Sequence, residues 1–178
     1  MKKENRLYLN SLTEDFISEQ YLRWMNDPEV LQFTESRWAK YNIDDLKLFV
    51  KNINKSPKDY LFGIFITETG QHIGNIKIGN INDQHKFADL GIIIGDKEEW
   101  GKGYATESIK LAVDYAFSKL KLYKVTAGVY INNSGSIKAL KKVGFEECGR
   151  HIKHCVFDSD RVDTLTLEII NKRMEYNG

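Results

Sequence analysis

The order of hydrophobic patterns predicts an α+β domain: a mixed, mostly antiparallel central sheet flanked by helices. Three observations carry this. Residues 60–94 hold three strand-like runs separated by short polar turns, the pattern of a meander. Residues 91–120 read as a buried strand, a glycine-punctuated turn and an amphipathic helix. The last third holds a strand, a short helix and a hairpin. The full order is strand, helices, meander, helix, strand, helix, hairpin, which departs from the regular alternation of a doubly wound fold.

Taken in order, Arg6 to Leu12 makes the first strand, with Leu7 and Leu9 on one face. Thr13 is set to cap a helix, with Glu14 and Asp15 near its positive end. Tyr21, Leu22, Trp24 and Met25 form its apolar stripe, which ends near Asn26-Asp27-Pro28 because proline disfavours helical geometry at Asp27. Glu29 to Phe33 restarts a short helix, Thr34 to Tyr41 is a loop, and Asn42 or Asp44 begins a helix through Leu46, Phe49, Val50 and Ile53. Tyr60 to Thr67, His72 to Ile81 and Lys86 to Ile94 are the meander. From Ala105, the residues Ile109, Ala112, Val113, Ala116, Phe117 and Leu120 recur at three- and four-residue steps, so one helical face is apolar. Tyr123 to Tyr130 is the next strand, followed by a turn at Asn132–Gly135 and a helix over Ser136–Val143 that Gly144 closes. Phe145 to Phe157 and Val162 to Ile170 pair as a hairpin.

Residues 1–178 are read as one domain, long enough to bury a substantial core. Lys plus Arg is 26 and Asp plus Glu is 25, a net charge of +1 that gives no support to a general nucleic-acid or membrane-surface binder. No apolar run approaches the roughly 20 residues needed to span a bilayer, and Met1-Lys-Lys-Glu-Asn-Arg is not followed by the apolar stretch of a secretory signal. Two cysteines, Cys148 and Cys155, are read as reduced thiols, and the protein as cytoplasmic. His151, His154 and the cysteines are not read as a metal site: the spacing is no closed zinc pattern, and along a strand residues 151 and 154 point to opposite faces.

The stretch that carries chemistry is Gly91 to Ile109. Gly101 and Gly103 permit positive φ and close approach. The helix that follows points its first, unpaired amides and its positive end at one spot, and Lys102 adds a mobile charge there. Two readings stand equal on this local pattern: a phosphate cradle, or a tight packing turn. The P-loop pattern is excluded because Gly101-Lys102 is followed by Gly103, and a dinucleotide fingerprint because Thr106 stands where a third small residue belongs.

Trp100-Gly101-Lys102-Gly103-Tyr104-Ala105 resembles the acetyl-CoA pyrophosphate loop of the GNAT superfamily of N-acetyltransferases, with Trp100 in place of the usual Gln or Arg. Asn133-Ser134-Gly135-Ser136 followed by Lys142-Val143-Gly144-Phe145 resembles that family's Asn-x-x-Ser and Lys-x-Gly-Phe segment, in the expected order. Residues 24–30, Trp-Met-Asn-Asp-Pro-Glu-Val, resemble the branch that includes ribosomal-protein amino-terminal acetyltransferases, a look shared with acetyltransferases of amino sugars and polyamines. The resemblance implies a splayed parallel strand pair, opening between the strands that end near Ile94 and Tyr130 and admitting the pantetheine arm. It implies acetyl-CoA as cosubstrate, no metal, and cofactor contacts from Gly101, Lys102, Gly103, Tyr104, Ala105, Thr106, Asn133 and the backbone of Ile92 and Ile94. The acceptor it implies is a primary amine, on a small molecule such as an amino sugar or polyamine or on a protein N-terminus. A homodimer is an open expectation, and a non-catalytic CoA-binding module is the alternative reading.

An alkyl amine has a pKa of about 10.4, so acetyl transfer to it needs a base. Asp89, in Ala88-Asp89-Leu90-Gly91, is the first candidate, beside a structural hydrogen-bonding role; Glu35 is the second. Glu35, Arg37 and Trp38 are candidate acceptor contacts. Ser136 is the candidate acid for the departing thiolate, with helix capping as its other reading. The tyrosine that many family members carry four residues later is Leu140 here. Tyr104 and Tyr130 are read as core or cofactor-flanking residues.

Overall fold

β1 (Leu7–Ser11), β2 (Tyr60–Ile66), β3 (His72–Asn82) and β4 (Phe87–Ile94) form a continuous antiparallel run. β5 (Lys124–Tyr130), β6 (Glu146–Phe157) and β7 (Asp160–Ile170) complete a seven-stranded sheet of order β1-β2-β3-β4-β5-β7-β6. Among the described strands every pairing is antiparallel except β4–β5. The computed structural model describes residues 5–174; the charged start Met1–Glu4 and residues 175–178 of the single-domain reading lie outside the described residues.

Side chains alternate across the sheet and divide the core in two. Ala88, Leu90, Ile92 and Ile94 of β4 pack with Ile109, Ala112, Val113 and Ala116 of α4 (Tyr104–Ser118), so the three- and four-residue spacing of that helix becomes its buried face. α5 (Ser134–Val143) adds Ala139 and Leu140 on the same side. Ile93 turns the other way, against Tyr21, Trp24, Leu46 and Val50. Those residues come from α1 (Glu19–Trp24) and α3 (Ile43–Ile53), with Leu31 of α2 (Pro28–Leu31) beside them.

Helix starts differ from the sequence expectation where packing overrides a local cap. Thr13 opens only a 3-10 turn, Glu14–Phe16, and its side chain caps nothing. Ile17 is extended and buried in the second cluster, which interrupts the helix. α1 starts instead after Ser18, whose side chain accepts from the Tyr21 amide. Pro28 takes the first position of α2, where its missing N–H costs nothing, and the Asp27 carboxylate accepts from the Glu29 and Val30 amides. Asn42, not Asp44, caps α3, in a reciprocal box with Asp45. α5 begins at Ser134 because Asn133 caps it, and the loop 34–41 contains a 3-10 turn over Glu35–Trp38.

The hairpin holds one correction. The β6–β7 register shifts between His151 and Cys155, and Lys153 is left-handed with φ 48°. Ile152, Lys153 and His154 stand against Asp163 alone, so regular alternation is lost there, and the His151 and His154 rings lie 5.1 Å apart rather than on opposite faces. Among the described residues no group of three or more His, Cys, Asp or Glu side chains could hold a metal ion. No helix among them is long and apolar enough to cross a membrane.

Two outcomes follow from this packing. Ile109→Ala removes a fully buried side chain between α4 and the sheet and is expected to lower unfolding free energy by about 2–5 kcal/mol in denaturant titration. Leu48→Ala, on the exposed side of α3, is expected to stay within about 0.5 kcal/mol. Lys124 Nζ lies 2.7 Å from Glu168 Oε2 across β5 and β7. The Lys124 hydrogen bond holds the Glu168 carboxyl below its usual 4.5. A depressed folded pKa contributes stability above the unfolded value and loses it as pH falls through the folded one. Lys124→Met is therefore expected to flatten the loss of stability below pH 4.5 by a small amount, less than about 1 kcal/mol for so exposed a pair.

Candidate active site

The parallel ladder of β4 and β5 joins Phe87 to Lys124, Ala88 to Val125 and Asp89 to Thr126, and goes no further. Both strands continue beyond it, to Ile94 and Tyr130. The Gly95 amide donates to the Ile73 carbonyl, so the odd-numbered residues of β4 bond to β3 and Leu90, Ile92 and Ile94 turn their backbone groups toward β5. The Asn171 amide donates to the Tyr123 carbonyl and the Ile131 amide to the Asp163 carbonyl. By the same alternation, Gly128 and Tyr130 turn theirs toward β4. Two rows of polar backbone thus face each other across a gap with no ladder between them, a demand that buried amides must satisfy elsewhere. The Ile94 carbonyl is met by the Trp100 indole nitrogen at 2.8 Å. Trp100, the departure from the family's loop pattern, closes the end of the gap.

Beyond that end the chain turns through Gly101 and Gly103, both left-handed at φ 76° and 85°. Gly103 is the N-cap of α4 and offers no side chain, and the first helical bond runs from the Glu107 amide to the Gly103 carbonyl. The amides of residues 101–106 have no hydrogen-bond acceptor among the described residues. They converge at the positive end of a 15-residue helix, an anion-binding arrangement.

The gap and this turn open into one cleft of about 630 Å³. Ile92, Ile94, Gly101, Gly103, Tyr104, Ala105 and Thr106 line it, as do Asn133 and Ser136. Asn133 is occupied as the α5 cap, its oxygen accepting from the Ser136 amide at 3.1 Å. Ser136 sits inside the first turn, and its hydroxyl has no hydrogen-bond partner among the described residues. Leu140 lines the cleft in the position of the family's tyrosine.

Five of the sequence candidates, Glu35, Arg37, Trp38, Asp89 and Lys102, do not line the cleft. Lys102 is half-exposed and its ammonium lies 2.8 Å from Glu99. Asp89 stands at the last laddered position, with one oxygen 2.6 Å from the Thr126 hydroxyl and the other 3.0 Å from the Asn80 amide. Glu35 is exposed and accepts from the Tyr130 hydroxyl at 2.9 Å. Tyr130 does line the cleft, and Arg37 donates to its oxygen at 3.1 Å and to the Val156 carbonyl at 2.6 Å. Burial, with Cys155 and Glu35 beside it, pushes the Tyr130 hydroxyl well above its usual range, so it stays protonated. Trp38 is exposed and lies outside the cleft.

Several groups at the site were not among the sequence candidates. Arg6 comes from the far end of the chain, donates to the Lys102 carbonyl at 3.2 Å and sits 4.6 Å from the Tyr104 ring centre. Gly91 and Gly128 face open space: a Cβ on either would meet nothing within 4 Å. Tyr21, Met25, Val30, Phe33, Phe49 and Leu61 form an apolar wall on the side of α1–α3. Asn75, Lys77 and Glu29 also line this half. Behind the wall His72 bonds Asn75, and burial holds its imidazole below the usual 6.5, hence neutral.

Residues 6–146 match the family described as Acetyltransferase (GNAT) domain. The chain is 31% identical over 169 residues to Probable N-acetyltransferase YjcK of Bacillus subtilis, covering 94% of this chain and 88% of that protein. Over a shorter stretch of 82 residues it is 39% identical to Spermidine N(1)-acetyltransferase of Escherichia coli, covering 46% of this chain and 44% of that protein. The fold superposes on spermidine N-acetyltransferase from Vibrio cholerae, solved in complex with CoA and spermine, with a TM-score of 0.82 at 23% identity, covering 93% and 95% of the two chains. With unpaired strand edges, a glycine turn and a free helix terminus meeting in one cleft, and with residues 6–146 matching its domain, this chain belongs to the GNAT family of acetyl-CoA-dependent N-acetyltransferases.

Proposed function

We propose that the amides of residues 101–106 bind the diphosphate of acetyl-CoA, and that the β4–β5 gap takes its pantetheine arm. The amine acceptor then enters from the side of α1–α3. The observation that carries this reading is the continuity of unpaired amides and unladdered strand edges within one cleft. Acetyl-CoA supplies the acetyl group as an activated thioester. The Ile92 N–H and the amides facing it are oriented donors for negative charge developing on a carbonyl oxygen. Arg6 and Lys102 add positive charge beside the diphosphate position. Ser136, free of other bonds, is proposed to donate a hydrogen bond to the departing sulfur. Glu35 acts from outside the cleft in this scheme, through Tyr130, while Asp89, bonded to Thr126 at the last laddered position, holds the root of the gap.

The same cleft supports a choice among amines. The relatives from E. coli and V. cholerae are named for spermidine, a polycation. In the acceptor half here, Glu29 is the lining carboxylate, its Oε2 is 3.1 Å from Lys97, and Lys77, 3.3 Å from Asp59, offers an ammonium no negative partner. A second or third ammonium placed against Met25, Val30, Phe33 and Phe49 would lie unpaired in apolar surroundings, at substantial cost. An α-amino group has a pKa of about 7.7–8.0, so roughly a third of it is already neutral at pH 7.5, against about 0.1% for an alkyl amine. Such an acceptor needs little help from a base, which suits a cleft whose candidate carboxylates stand outside it. The acceptor we propose is therefore an α-amine, as on a peptide or protein N-terminus, in keeping with the ribosomal-protein branch. An oligomer, a homodimer or larger, belongs to the same reading; a neighbour of this fold from V. cholerae has a dodecameric structure.

Thiol release from acetyl-CoA, measured at pH 7.5 with a short peptide and with spermidine, tests this. The peptide is expected to exceed spermidine by about tenfold or more in kcat/KM, the factor set by one unpaired charge at about 1.4 kcal/mol. Preference for spermidine would refute the α-amine assignment. Gly103→Glu puts bulk and negative charge among the amides, and CoA affinity is expected to fall by at least about tenfold; Ala105→Glu, which leaves the left-handed glycine intact, is expected to do the same. Unchanged affinity in both variants would remove the diphosphate site.

A further inference from the structure

We infer that Gly91 and Gly128 determine which amines the protein accepts: their missing side chains leave a trough across the acceptor face of the gap, which admits the first residue of a peptide. The inference rests on the reading of the cleft as an amine-acceptor site. Register brings the two glycines together. The last rung of the parallel ladder joins Asp89 to Thr126. Two residues further along each strand stand Gly91 and Gly128, and two further again Ile93 and Tyr130. Ile93 packs with the cluster of Tyr21 and Trp24, and the Tyr130 ring lies 6.0 Å from that of Phe33. Alternation therefore turns the side-chain positions of both glycines to the α1–α3 side.

Neither packing nor backbone geometry asks for glycine at these two positions. A Cβ at Gly63 of β2 would strike the Phe65 ring, at Gly74 of β3 the Ile93 carbonyl, and at Gly79 of β3 the Asp59 carboxylate. At Gly91 and Gly128 it would meet nothing within 4 Å. Neither residue is left-handed, unlike Gly101 and Gly103. Both lie inside strands, where glycine weakens a sheet: it loses the most backbone freedom and packs no side chain. Their neighbours Leu90, Ala127 and Val129 are buried, so this is the body of the sheet and not a frayed end. Both glycines line the cleft. Two unforced glycines facing one gap fit a close approach by a ligand.

That ligand is the acceptor rather than the pantetheine arm. The backbone groups of Ile92 and Ile94 point across the gap, in the plane of the sheet, and hold the arm there. The space left by Gly91 and Gly128 lies above that plane, on the side from which the amine enters. Asp89 and Thr126 bound it on one side, Ile93 and Tyr130 on the other. Lys77, paired with Gly91, and Thr166, paired with Gly128, stand at its two ends. A slim alkyl amine uses little of this width. A peptide carries a side chain and a planar carbonyl on the carbon that bears the amine, and these take the room that two methyl groups would fill. One methyl group too many in such a site is worth about tenfold or more in selectivity.

The test compares an alanyl peptide with a plain alkyl amine of similar length, by thiol release from acetyl-CoA, in Gly91→Ala, Gly128→Ala and the double variant. The ratio of kcat/KM, peptide over alkyl amine, is expected to fall about tenfold in each single variant and further in the double one. CoA affinity is expected to hold. The melting temperature is expected to stay or to rise by up to about 4 °C, because alanine restricts the unfolded chain and here meets no neighbour. Gly149→Ala serves as control: Gly149 pairs with Thr166 on the same row of the sheet, outside the cleft, and the ratio is expected to stay unchanged. An unchanged ratio in both single variants, whether or not overall turnover falls, would overturn the assignment. Weaker CoA binding would give the space to the arm, and a lowered melting temperature would give the glycines to packing; either overturns it as well. Turnover of neither amine by the parent protein, with CoA bound, would remove the acceptor reading itself and this inference with it.

Discussion

The structure depends on a sheet that stops pairing halfway. β4 and β5 are held together at Phe87–Asp89 and Lys124–Thr126 and then separate, although each strand keeps its outer neighbour throughout. A strand cannot leave N–H and C=O groups unpaired without cost. The gap is therefore tolerable only where something polar enters it, or where the groups are met one at a time. Trp100 meets one of them, at the Ile94 carbonyl. The others stay available in a cleft already open to a ligand.

Two layers make the gap rigid rather than loose. Ala88, Leu90, Ile92 and Ile94 are clamped from one side by α4, and Ile93 from the other by the aromatic cluster of α1 and α3. α4 does two jobs with one sequence pattern. Its apolar face anchors it to the sheet, and that anchoring aims its first turn at the end of the gap. The glycines at 101 and 103 make the necessary reversal possible because both residues are left-handed there. The ion pair of Arg6 with Glu107, 3.0 Å, ties the first strand to the same helix and brings a second cation to the turn.

Several polar side chains in and around the cleft are committed by their neighbours. Asn133 is used by its helix, Asp89 by Thr126 and Asn80, and Tyr130 by Glu35 and Arg37. The Ser136 hydroxyl has no hydrogen-bond partner among the described residues. The proposed α-amine acceptor, which arrives partly deprotonated, suits a cleft whose candidate bases Asp89 and Glu35 stand outside it.

The division between sequence and structure follows the range of the interactions involved. Local patterns were enough for the strands of the meander, the long helix, the hairpin and the glycine turn, because periodicity and left-handed glycines act over a few residues. Two motif blocks were enough for the family. The helix start after Ser18 was missed because Ile17 is drawn into the core, which local propensity does not contain, and the start after Asn133 because asparagine suits a turn and a cap alike. The opposite facing of His151 and His154 failed because three residues, Ile152 to His154, bulge against the single residue Asp163 and break the ladder. Arg6 and Gly128 carry no motif at all. They belong to the site only because residues up to about 100 positions apart meet where the sheet opens, and a hydrogen bond's direction depends on partners that folding alone brings together.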